Sequence, residues 1–126
     1  MDVFVYGTLT DPATAGRFLD SYEFSRDAEL DGLHRLDGKY PTLAPGGSCE
    51  GRILSTPALA PLDRYEGVER GLYVRQSLRL DGSGSAECYI GDPEALGVPD
   101  EWPGSGPFHD RVERYLQANE VVVTTR

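Results

Sequence analysis

Between Leu72 and Leu80 the chain sets Leu72, Val74, Leu78 and Leu80 on one side and Tyr73, Arg75, Ser77 and Arg79 on the other. A period of two belongs to a β-strand with one buried face. The turn Asp81-Gly82-Ser83-Gly84 leads into Ala86 to Ile90, which alternates again, so the segment reads as a hairpin. Gly (15) and Pro (9) make up 24 of the 126 residues, so turns recur along the chain and favour short strands with short connections.

The other elements follow from local signals. Val3 to Tyr6 is a short apolar run of β-prone residues ended by Gly7. Asp11-Pro12 is an N-cap followed by Pro at the first helical position, and it opens a helix running through Leu19. Phe24, Arg26, Ala28 and Leu30 share one side of a strand-like stretch that Gly32 and Gly38 interrupt. Tyr40 to Leu43 leads into Gly46-Gly47, read as a turn, and Cys49 to Leu54 resumes a strand. Pro57 and Pro61 confine the next helix to about Leu62 to Tyr65, closed by Gly67. A Pro/Gly-rich loop from Asp92 to Pro107 holds Trp102. Phe108, Val112, Tyr115 and Leu116 recur at helical spacing, and Val121 to Val123 is a last strand. One domain over 1–126 results. Its six or seven short strands and two or three helices are mixed rather than alternating, an α+β chain closing into a small barrel with helices outside.

Charge and composition remove several classes of function. Twelve basic and twenty-one acidic residues give a net charge of −9, which repels phosphate backbones and excludes nucleic-acid binding. No apolar run approaches the ~20 residues of a membrane span, and no basic stretch followed by an apolar one opens the chain, so a cytoplasmic protein is expected. Eleven of the twelve basic residues are Arg, with Lys39 the exception. Dispersed acidity with almost no Lys fits a salt-rich cytosol, where screening tolerates self-repulsion; a genome that favours Arg codons gives the same pattern. Cys49, Cys88, His34 and His109 form no CxxC or HxxxH pair, so no metal site is expected. The cysteines sit in strand-like segments, the usual place for inert buried thiols.

Two segments carry chemistry. Tyr6-Gly7-Thr8-Leu9 follows directly on the first strand, where a Gly lets successive N–H groups converge on an anion or carbonyl. It lacks the glycines and Lys of a phosphate-binding loop, and taken alone it reads first as an ordinary turn. In LDRYEGVERGLYVR (62–75), Asp63 and Glu66 share one side of a short helix, and Glu66 stands where the helix must stop. A carboxylate turned from there into an apolar barrel mouth would be desolvated toward the working range of a general base. Turned outward, Asp63, Glu66 and Glu69 would simply hydrate a surface helix. Tyr40, Tyr73 and Tyr89 lie on expected strands and gain catalytic interest if their hydroxyls converge on Glu66.

Taken together, VFVYGTL at Val3 to Leu9, YPTL at Tyr40 to Leu43, EGRI at Glu50 to Ile53 and LDRYEGVERGLYVRQSLRL at Leu62 to Leu80 resemble the γ-glutamylcyclotransferase-like family, which includes the AIG2-like proteins and the γ-glutamylamine cyclotransferases. The resemblance implies a small mixed β-barrel with a cavity at one end. It implies that Tyr6, Gly7, Thr8 and Leu9 hold a γ-glutamyl group, largely through backbone amides, and that Glu66 is the catalytic acid/base, with Glu69 as a rival. Tyr89 resembles a pocket-lining tyrosine, and Tyr40 and Tyr73 are further candidates for the wall. The implied reaction cyclises a γ-glutamyl amine or peptide to 5-oxoproline and releases an amine or amino acid, with no cofactor and no metal. The partner is then a small-molecule γ-glutamyl substrate. The rival from another class is the same barrel as a small-molecule-binding or partner-binding module without turnover.

Overall fold

The computed structural model describes residues 1–37, 40–99 and 101–125, and only the backbone of Thr8. Six strands close a mixed barrel: β1 (Asp2–Val5), β2 (Glu23–Leu36), β3 (Thr42–Ser55), β4 (Tyr73–Leu80), β5 (Ser85–Gly91) and β6 (Val122–Thr125). Their order around the barrel is β1-β3-β2-β6-β4-β5. The expected β4–β5 hairpin forms, with Val74 opposite Ile90 and Leu78 opposite Ala86. Closure comes from two parallel contacts, β1 with β5 and β4 with β6. The helices are α1 (Pro12–Phe18), α2 (Ala60–Glu66), α3 (Pro93–Leu96) and α4 (Phe108–Ala118). Single 3-10 turns occupy Thr8–Thr10 and Val68–Arg70.

β2 and β3 are longer than their glycines suggested. Both run through their Gly positions, because Leu33 pairs with Pro45 and Asp31 with Ser48, leaving Gly46-Gly47 opposite Gly32. All three glycines take positive φ, so the step is a β-bulge that bends a continuous ladder rather than a turn that ends it. Gly38 lies outside the described residues. A second irregularity at Ser25 separates Phe24 from Arg26 in the register. A one-residue slip changes face, and Phe24 therefore packs with a different cluster from Ala28 and Leu30.

Two hydrophobic clusters result. One unites Phe4, Tyr6, Leu30, Leu43, Leu78 and Ile90, among others, with Trp102 and the Phe108 and Val112 face of α4. The other puts the opposite face of β1, Val3 and Val5, against Leu62 of α2 and Leu19, the residue that follows α1. Cys49 and Cys88 are both buried and both free thiols. Leu72 departs from the alternation. It precedes β4 and packs with Tyr73 against the second cluster, whereas Val74, Leu78 and Leu80 face the first. Among the described residues, no helix is long and apolar enough to cross a membrane.

Candidate active site

A cavity of about 420 Å³ opens where the chain leaves β1. Its lining brings together Tyr6, Gly7 and Leu9 from the loop after β1, Tyr65 and Glu66 from α2, Tyr73 from β4 and Tyr89 from β5. Glu66 ends α2, which has Pro61 in its first turn and stops at Gly67, whose left-handed φ of 69° reverses the chain toward β4. No hydrogen bond or ion pair joins the Glu66 side chain to another described residue. Burial alone pushes its carboxyl up from the usual range to about 7. Glu69, three residues on, is exposed and outside the lining.

The Tyr6–Leu9 loop is braced at both ends. The Arg35 guanidinium donates to the Tyr6 carbonyl at 2.7 Å, and that of Arg52 donates to the Thr10 carbonyl at 3.2 Å. Inside the loop, the Gly7 carbonyl accepts from the Thr10 N–H at 3.1 Å and the Thr10 hydroxyl at 2.6 Å. The Thr8 side chain lies outside the described structure. Arg35 and Arg52 come from β2 and β3, so nothing near the loop in sequence announces them.

The tyrosine hydroxyls do not converge on Glu66. Tyr6 donates to the Tyr89 carbonyl, Tyr73 to the Pro41 carbonyl at 2.6 Å, and Tyr89 to Asp63 Oδ1 at 2.6 Å. Each ring forms wall while its hydroxyl ties neighbouring elements together. Burial raises all three phenols above their ordinary range, and the nearby Glu66 charge adds to the rise at Tyr6 and Tyr73. Tyr40 lines the cavity from an exposed bend just before β3, not from a strand.

A family model described as Gamma-glutamyl cyclotransferase, AIG2-like, matches residues 3–109. The chain belongs to this family. Protein AIG2 C of Arabidopsis thaliana is 31% identical, with 80% of this chain and 71% of that relative aligned. The solved At5g39720.1 protein from Arabidopsis thaliana shares 28% identity at a TM-score of 0.58, over 93% of this chain and 83% of that one. A solved gamma-glutamyl cyclotransferase, at 13% identity, shares the fold with a TM-score of 0.58 over 94% of this chain and 99% of its own.

Two further features of this family member emerge, one signalled in the sequence and one long-range. The expected Asp92 to Pro107 loop begins with α3, whose Leu96 reaches the cavity. Asp92-Pro93 repeats the signature that announced α1: its side chain caps Glu94, as that of Asp11 caps Ala13. The second is a clamp on α2. Asp63 accepts from Tyr89 and from the Arg75 guanidinium at 3.1 and 3.2 Å, binding the helix that carries Glu66 to β4 and β5. Asp63→Ala is expected to destabilise the fold by about 1–2 kcal/mol, the range of a partly exposed, charge-assisted pair of contacts. Urea unfolding checks the value, and an unchanged midpoint would show that the clamp carries nothing. Away from the cavity, His109, Asp110 and Glu113 gather on an exposed face of α4, a pairing the sequence reading overlooked at the i, i+4 spacing of His109 and Glu113.

Proposed function

We propose that this chain is a γ-glutamyl cyclotransferase with Glu66 as general acid/base. One observation carries the reading: an unpartnered, desolvated carboxylate shares a cavity with the Tyr6–Leu9 loop. The α-amine of a γ-glutamyl compound attacks its own γ-carbonyl carbon and closes a five-membered ring. Glu66 removes a proton from the attacking nitrogen and returns it to the departing one. The bond from the γ-carbon to the leaving nitrogen breaks, giving 5-oxoproline and a free amine or amino acid. Because both reacting groups belong to one molecule, holding them in a near-attack geometry supplies much of the acceleration. The N–H groups of the Tyr6–Leu9 loop are the candidates for gripping the α-carboxylate or the developing oxyanion.

The decisive assay follows 5-oxoproline release from a panel of γ-glutamyl amino acids and γ-glutamyl amines. Release from none of them, with binding intact, would favour the non-catalytic module. The pH profile provides a second check. A carboxyl group near pH 7 must be ionised to act as base, so kcat/KM is expected to rise about tenfold per pH unit below 7 and to level above it. A plateau already reached at pH 5 would mean that the group is not desolvated as described.

A further inference from the structure

Arg70 is the second charged side chain in the cavity lining, and the mechanism above leaves it without a task. It closes the 3-10 turn Val68–Arg70, is exposed, and forms no side-chain hydrogen bond or ion pair with any described residue. Its guanidinium folds back over Gly67, with Nη2 3.1 Å from the point a Cβ there would occupy. The cation is thereby held over the turn that directly follows Glu66. Apart from Glu66 and Arg70, the lining is apolar or aromatic, and its partly or fully exposed members include Tyr40, Tyr65, Leu72 and Leu96.

This arrangement sorts the two ends of a substrate. The α-amine and α-carboxylate of a γ-glutamyl group sit on one carbon, so both lie near the buried base when the ring closes. The leaving group extends away from that carbon, and the exposed Arg70 and the apolar side chains of the same cavity are the groups left to meet it. On a chain of net charge −9, an approaching anion finds few welcoming surfaces, and a free guanidinium at the entrance is one. Guanidinium and carboxylate match in charge and in planar two-point geometry.

We propose that Arg70 forms an anion subsite for the leaving group, so that the preferred substrates are γ-glutamyl conjugates of apolar α-amino acids rather than of simple amines. The proposal rests on the cyclotransferase reading for its kinetics but not for its binding. The test uses a matched pair, γ-glutamyl-leucine and γ-glutamyl-isopentylamine, which differ only by the leaving-group carboxylate. The wild-type chain is expected to favour the leucine conjugate by roughly three- to fivefold in kcat/KM, the upper scale of one exposed ion pair. Arg70→Gln collapses that ratio through KM, and Arg70→Lys restores part of it. Equal use of the two compounds by the wild type, or an equal loss of both in Arg70→Gln, overturns the proposal. If neither compound is turned over, the cyclotransferase reading has failed, and calorimetric binding of the same pair still decides the subsite. Tighter binding of the leucine conjugate that disappears in Arg70→Gln supports it, and equal binding overturns it.

Discussion

Glu66→Gln is expected to lower turnover of a competent γ-glutamyl substrate by about 10²–10⁴-fold, the usual contribution of a positioned acid–base group. Gln keeps the volume of Glu but cannot take the ammonium proton, so binding of a non-reacting analogue should change far less. Glu69→Gln, on an exposed side chain outside the cavity lining, serves as the control and should remain close to wild type. If the Glu69 variant were the inactive one, the base would be misassigned. If both variants cyclised normally, the proton would be moved by another group.

The same Glu66 substitution has the opposite effect on stability. Burial raises the carboxyl to about 7 from 4.5, so the unfolded chain gives up this proton more readily than the folded one. The contribution of Glu66 is therefore most favourable below about pH 4.5 and is lost as the pH rises through 7. Glu66→Gln should stabilise the fold by about 1–3 kcal/mol at pH 8 and by much less at pH 5. Denaturant titrations at the two pH values read the difference. A variant that is less active and more stable, with the gain confined to high pH, is the signature of a desolvated catalytic base. A loss of both would indicate a structural role.

Gly51→Ala is expected to be the most damaging single methyl group in the barrel. A Cβ at position 51 would lie 2.3 Å from the Val5 carbonyl oxygen and 2.7 Å from Phe4 Cζ. Neither atom can yield cheaply. Val5 belongs to β1, which is paired on both sides, and Phe4 is 1% exposed in the core. Relief requires β1 to move away from β3, at a cost of about 3 kcal/mol and a fall in Tm of roughly 10 °C. Because Val5 leads directly into Tyr6–Leu9, the surviving folded protein should also show a raised KM. A Tm within a couple of degrees of wild type, about what a surface substitution gives, would show that the strands are not packed this closely.

Glu66 and the tyrosines show how local signals divide from long-range ones. The sequence by itself determined what needs only neighbouring residues: the Asp11-Pro12 start of α1, the Gly67 stop of α2, the β4–β5 hairpin and the four segments carrying the family resemblance. Those segments hold Tyr6, Gly7, Leu9, Tyr40, Glu66 and Tyr73, and the structure lines one cavity with them and with Tyr89 from the following strand. The tertiary structure decided the rest. Gly32 and Gly46-Gly47 read as breaks because a positive φ looks the same in a bulge and in a turn, and only pairing with the opposite strand distinguishes them. The tyrosine hydroxyls, the Arg35 and Arg52 braces and the Asp63 clamp join residues 12 to 83 positions apart, which no local pattern specifies. Desolvation of Glu66 belongs to the same class. Its rise depends on how much water the surrounding walls exclude, and those walls come from strands and helices distributed from β1 to α3.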